Sequence, residues 1–143
     1  MLVHASCVAD GDRGLLICGR PGAGKSRLAL ELIALGARLV ADDQTALTVE
    51  NGALHAAPAP RLAGLVEARG IGILRMPHAH RTIVTLLIDL DEAGTQRVPP
   101  VRVRRLMNVA VPLILRPESL SAAAVLAALR HGPPLDPDAP LSG

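Results

Sequence analysis

Apolar residues in this chain come in short runs broken by Gly, Pro and charged residues, and the spacing inside each run predicts its element. Residues 2–8, LVHASCV, alternate enough for a strand, and Asp10-Gly11 and Arg13-Gly14 mark the turn after it. Residues 14–18, GLLIC, are uniformly apolar between glycines, as a buried strand would be. From Ser26 to Leu35 the period lengthens to that of a helix: Leu28, Leu32 and Leu35 share one face, and Gly36 stops it. Residues 37–41, ARLVA, give the next strand. TALTVENGALHAA folds into a hairpin at Asn51-Gly52. A loop with a short helical or extended stretch should follow, then a strand or turn at Gly70–Ile73. Residues 82–90, TIVTLLIDL, read as another buried strand, and 91–100 as a polar loop ended by two prolines. One or two more strands fit VRVRRLMNVAVPLILRP. Residues 119–130 form a closing helix that starts near Glu118 or Ser119. The Pro- and Gly-rich segment 132–143 is expected to be disordered, which leaves one domain over 1–131.

Between the second strand and the first helix lies GRPGAGKS, Gly19 to Ser26. Gly-x-x-x-x-Gly-Lys-Ser in a strand–loop–helix setting is a phosphate-binding loop. Its glycines let backbone N–H groups turn toward an anion, and the helix that follows adds its positive end. Gly19, Arg20, Pro21, Gly22, Ala23, Gly24, Lys25 and Ser26 are therefore the candidate nucleotide-binding residues. Lys25 is suited to the β- and γ-phosphates, and the Ser26 hydroxyl to Mg²⁺.

The strand RLVADD ends on two adjacent carboxylates, Asp42 and Asp43, which lie 17 and 18 residues after Lys25. Adjacent carboxylates at an apolar strand end are costly unless a cation or a proton is shared. A Mg²⁺ ligand and a general base would account for both. His4, Glu67 and Arg97 carry no such signal on spacing alone, and His55, His78, His80 and His131 lack metal-ligand spacing.

Composition narrows the classes. The chain has 143 residues, half of them hydrophobic, enough for one domain with a real core. It has no apolar run long enough for a membrane span, and MLVHASCVADGDRG has no signal-peptide pattern. With 15 basic and 13 acidic residues the net charge is +2, too balanced to imply nucleic-acid binding, although Arg102, Arg104 and Arg105 cluster. The absence of Phe, Tyr and Trp excludes recognition of bases by aromatic stacking. Cys7 and Cys18 fit buried thiols of a cytoplasmic protein.

His4, GRPGAGKS, LALELIALGARLVADD, VEARGIGIL at 66–74 and Arg97-Val98 together resemble the C-terminal catalytic domain of the HPr kinase/phosphorylase family. His4 stands 21 residues before Lys25, as in the family pattern, and the likeness extends to about Arg130. The resemblance implies an α/β phosphate-loop fold related to phosphoenolpyruvate carboxykinase, a mixed β-sheet with few helices. It implies transfer of the γ-phosphoryl group of ATP, with Mg²⁺, to a serine of HPr or an HPr-like carrier of the phosphotransferase system. Lys25 would then bind phosphates, Ser26, Asp42 and Glu67 the metal, and Asp43 would take the serine proton. His4 and Arg97 would belong to the catalytic pocket. Partners would be the carrier and further copies of the chain, not nucleic acid or membrane. With Met1 three residues before His4, a short form without the family's N-terminal domain is expected. Near the C-terminal end, Arg116-Pro117 is followed by Glu118-Ser119-Leu120 where the family has Gly-Arg-Asn in a region serving phosphorolysis. The alternative from a different class is an ATP-binding sensor that docks a partner without transferring phosphate.

Overall fold

A computed structural model describes residues 1–138. Its elements in chain order are β1 (Leu2–Val3), β2 (Ala5–Asp10), β3 (Arg13–Cys18), α1 (Lys25–Ala34), β4 (Arg38–Ala41), β5 (Thr45–Glu50), β6 (Ala53–Pro58), a 3-10 turn (Pro60–Leu62), β7 (Leu65–Ala68), β8 (Gly72–Arg75), β9 (Thr82–Ala93), β10 (Arg102–Leu106), β11 (Val109–Arg116) and α2 (Ala122–His131). This is the mixed α/β architecture with few helices that the sequence implied. The nine-stranded sheet has the order β1-β5-β6-β9-β3-β2-β4, with β11 also on β9 and β10 at the edge beyond it; β7 and β8 form a separate hairpin.

The long strand β9 organises the sheet. Its first residues pair with β6, its last with β11, and its other side runs parallel to β3. Along β3, Leu15 and Ile17 enter a cluster with Leu28 and Leu32 of α1 and Val125 and Leu129 of α2. Leu16 points the other way, into a cluster with Val40, Leu47, Leu54, Leu87 and Val111. The second cluster has residues from seven strands and none from a helix, so the sheet curls around it. The period-2 alternation of strand side chains thus feeds two cores from one strand. In β9 the alternation slips: Gly14 pairs with Val84, but Leu15 pairs with Leu86, leaving Thr85 as a bulge. Val84 and Leu86 consequently fall in opposite cores. A Cβ on Gly14 would lie 2.5 Å from Thr82 Cγ2 and 2.7 Å from the Ile83 carbonyl, so only glycine fits beside the bulge.

Several boundaries differ from the sequence reading. The first strand is interrupted, because His4 sits at an exposed bend between β1 and β2. β9 continues to Ala93, taking three residues from the expected loop, since β11 hydrogen-bonds that far along it. α2 starts after Ser121, whose hydroxyl accepts the Ala124 N–H at 3.2 Å, rather than near Ser119. The helix expected from Ser26 already includes Lys25. Part of the tail expected to be disordered, 139–143, lies outside the described residues.

Candidate active site

The turn that opens the phosphate loop is closed by the Ala23 N–H on the Arg20 carbonyl at 3.0 Å. Pro21 and Gly22 are its central residues, and Gly22 has φ +85°, a value an L side chain resists. Gly24, φ +102°, then caps α1 with a left-handed residue. The first N–H groups of α1 therefore face the loop without intrahelical partners. Lys25 is buried and folds back over the loop: its Nζ donates to the Gly19 carbonyl at 2.6 Å and the Arg20 carbonyl at 3.1 Å.

β4 delivers the two aspartates to this loop and then separates them. Asp43 has φ +63°, a left-handed conformation unusual for any residue but glycine, though least so for Asp and Asn. Its N–H donates to Ser6 Oγ at 3.2 Å, which holds the kink. As a result Asp42 turns inward and is buried, while the Asp43 side chain is 62% exposed. The Asp42 carboxylate accepts from Ser6 Oγ at 2.7 Å, from Ser26 Oγ at 2.8 Å and from the Glu67 N–H at 3.1 Å. Among the described residues no cationic side chain pairs with it. Asp43 Oδ1 lies 4.0 Å from Lys25 Nζ.

Lys25, Ser26, Asp42 and Asp43 thus converge, and the β7–β8 hairpin brings the Glu67 backbone to them. The Glu67 side chain itself is exposed. His4 precedes Ala5, which pairs with Cys18 immediately before the loop, so it borders the site at an exposed position. Arg97 is not brought to the loop: it is exposed in the 94–101 segment and lines a cavity of about 590 Å³ between that segment, β11 and α2. Cys7 and Cys18 are free thiols. Burial raises Cys7, and burial together with the Asp89 carboxylate pushes Cys18 up to about 11, so both stay protonated.

Residues the sequence reading passed over also reach the loop. Ser6 holds both aspartates, and only its polarity inside an apolar strand marked it. At the end of β9, Asp91 accepts the Arg20 N–H with both oxygens at 3.0 Å. Asp89 pairs with Arg104 at 2.8 Å and accepts the Asp91 N–H at 2.8 Å. Their signal was in TLLIDLD, an apolar run ending on acids like RLVADD.

A strand running parallel to its neighbour, then a glycine-rich loop and a helix, with two carboxylates beside the loop's Lys-Ser, give an α/β fold of the kinase type. Comparison with known proteins narrows that class: residues 1–92 match the HPr serine kinase C-terminal domain family, and the chain belongs to it. It is 40% identical over 98 residues to an HPr kinase/phosphorylase of Geobacillus sp. (strain WCH70), covering 62% of this chain and 31% of that one. It is likewise 40% identical over 91 residues to an HPr kinase/phosphorylase of Neisseria meningitidis serogroup C, covering 58% of this chain and 28% of that one. The chain therefore spans about three-tenths of the length of the curated relatives it matches. Among solved structures, the Hpr(Ser) kinase/phosphatase from Coxiella burnetii superposes with a TM-score of 0.78 at 26% identity, covering 92% of this chain and 89% of that one.

Proposed function

We propose that this chain is an ATP-dependent serine kinase that phosphorylates HPr or an HPr-like carrier protein in the cytoplasm. The observation that carries the proposal is the parting of Asp42 and Asp43 beside Lys25. One carboxylate is buried on Ser26, and the other stands exposed 4.0 Å from the lysine. A buried acid on the loop serine suits a metal shell, and an exposed acid suits a proton acceptor for an incoming hydroxyl. Family membership and the names of the matched relatives supply HPr as the substrate.

The donor set around the loop fits Mg²⁺. Ser26 Oγ and the Asp42 carboxylate are hard oxygen donors already turned toward each other. Among the described residues no group of three or more His, Cys, Asp or Glu side chains forms a metal cluster. Mg²⁺, which keeps several waters and binds phosphate oxygens, needs no such cage. When bound it would neutralise charge on the phosphates. We assign Glu67 as a further ligand, reached through the β7–β8 hairpin.

The chain's own residues do the rest. The loop N–H groups from Gly22 to Ser26 and the start of α1 bind the phosphates. Lys25 exchanges its contacts with the Gly19 and Arg20 carbonyls for phosphate oxygens. Asp43 orients the serine hydroxyl of the carrier and takes its proton. Phosphoryl transfer asks for little beyond such alignment and charge stabilisation. His4 borders the pocket, and Arg97 would have to enter it by movement of the 94–101 segment.

The test is intact-mass analysis of HPr after incubation with the chain and MgATP. One phosphate on an HPr serine is expected, and Asp43→Asn should reduce the rate by about 10²–10⁴-fold while MgATP still binds. Transfer undiminished in Asp43→Asn would remove that residue as the base. ATP binding with no transfer to HPr under any condition would leave the sensor reading in its place.

A further inference from the structure

The Gly19–Arg20 peptide at the entrance of the loop is gripped at both ends. Its carbonyl, on Gly19, accepts Lys25 Nζ at 2.6 Å. Its N–H, on Arg20, donates to the Asp91 carboxylate, with both oxygens at 3.0 Å. The peptide is also pressed against the end of β9: a Cβ on Gly19 would lie 3.3 Å from Leu90 Cβ and 3.6 Å from Asp91 Oδ1. Asp91 is itself held. Its N–H donates to Asp89 Oδ1 at 2.8 Å, and Asp89 is fixed by Arg104 of β10 at 2.8 Å. A continuous chain of polar contacts therefore runs from the edge strand to the loop peptide on which the lysine rests.

We propose that Asp91 is a positioning residue for nucleotide binding. It fixes the Gly19–Arg20 peptide, so that the loop keeps its shape when Lys25 leaves the Gly19 carbonyl for a phosphate. Without that anchor the loop entrance would have to be ordered by the nucleotide itself, at the expense of affinity. The N–H and C=O of a trans peptide point apart, so the Asp91 carboxylate holds the side of the peptide opposite the lysine. This inference rests on the reading of the loop as an ATP site.

The experiment compares the wild-type chain with Asp91→Ala and Asp91→Asn. Asp91 is exposed, so neither change disturbs a core. Calorimetric titration with MgATP should show about ten-fold weaker binding by Asp91→Ala, the low end for a charge-assisted hydrogen bond at an exposed site. Asp91→Asn keeps one acceptor oxygen and should bind within about three-fold of wild type. At saturating MgATP the HPr phosphorylation rate of both variants should stay within about three-fold, so the defect falls on KM rather than kcat. Without nucleotide, hydrogen exchange of the Arg20 amide should be faster in Asp91→Ala than in wild type, with Asp91→Asn between them. Wild-type affinity in Asp91→Ala would overturn the proposal. So would Asp91→Asn as weak as Asp91→Ala, because the charge rather than the acceptor would then be what binding needs. A loss confined to kcat would overturn it too. Failure of the wild-type chain to bind MgATP at all would sink the ATP reading itself, and is told apart because it needs no variant.

Discussion

β4 and β9 approach the phosphate loop from opposite sides of β3, and both end in aspartates, yet the two ends are built differently. At the β4 end Asp42 is surrounded by hydroxyl and N–H donors, and Asp43 stands 4.0 Å from the lysine. At the β9 end Asp89 is tied to the Arg104 guanidinium, and Asp91 to a backbone N–H. Asp89, with its counter-ion built in, is committed to structure. Asp42, buried and satisfied by neutral donors, keeps its charge available for a cation. Each end also holds a different part of the loop: Asp42 takes Ser26 at its close, and Asp91 takes Arg20 at its opening.

The largest effect that would sharpen this contrast is expected at Asp42. Asp42→Ala should lower HPr phosphorylation by about 10³-fold or more, since it removes the one carboxylate bound to the loop serine. It should also cost about 1–3 kcal/mol of folding stability, because the donors of Ser6 and Glu67 lose their acceptor inside the protein. Both are read from a kinase assay and a urea titration. An equal loss of transfer in Asp89→Asn would break the distinction between the two ends.

The next effect tests whether β9 must keep its register to present its acids. Gly14→Ala places a Cβ 2.5 Å from Thr82 Cγ2 and 2.7 Å from the Ile83 carbonyl, at the bulge that sets the register of β3 on β9. A destabilisation of about 1–3 kcal/mol is expected from this overpacking, measured by denaturant unfolding. No change in the unfolding midpoint would mean that the bulge relaxes freely.

A smaller effect separates the ends by pH. Burial alone would raise the Asp89 carboxyl, but the Asp91 N–H and the Arg104 guanidinium outweigh it and hold it below the ordinary aspartate value. A depressed carboxyl contributes stability above its unfolded pKa, and that stability is lost as pH falls through the folded value. Arg104→Gln should therefore cost about 1–2 kcal/mol near neutral pH, between an exposed and a buried pair, and the difference from wild type should shrink in acid. Carbon-detected titration of Asp89 would follow it directly. A pH-independent difference would show that Arg104 acts through packing.

Most of the fold was legible because its local signals agree. The Asn51-Gly52 hairpin, the strand–loop–helix at Gly19–Ser26 and the helix face of Leu28 and Leu32 formed as their spacing requires, whereas Leu35, expected on the same face, caps the helix end and is exposed. The β4 end was legible because two adjacent acids after an apolar run stand out. The β9 end was not, because Asp89 and Asp91 lie 71 residues or so from the loop they hold, and only the parallel pairing of β3 with β9 brings them there. Ser6 was hidden for the same reason, being one polar residue in a strand whose partner is 36 positions away. Arg97 shows the reverse: only the family resemblance pointed to it, and it is exposed in a segment that lines a cavity beside β11 and α2.

The smallest expected effect is the control for all the others. Asp10 ends β2 at the side of the sheet away from the loop, opposite Arg13, and takes a bidentate contact from Arg130 of α2 at 2.9 and 3.0 Å. That hydrogen bonding holds the Asp10 carboxyl below its ordinary value against the opposing effect of burial, with the charges of Arg130 and His131 adding to it. By the same sign rule, the pair contributes above the ordinary aspartate range and is lost as pH falls below it. Because the contact is exposed and salt-screened, Asp10→Asn should lower the melting temperature by only about 1–2 °C and vanish as a difference in acid or high salt. MgATP binding and HPr phosphorylation should match the wild-type chain. A marked loss of transfer in Asp10→Asn would mean that activity follows overall stability. The effects at Asp42 and Asp91 could then no longer be read as local to the loop, and the contrast between the two strand ends would fall with them.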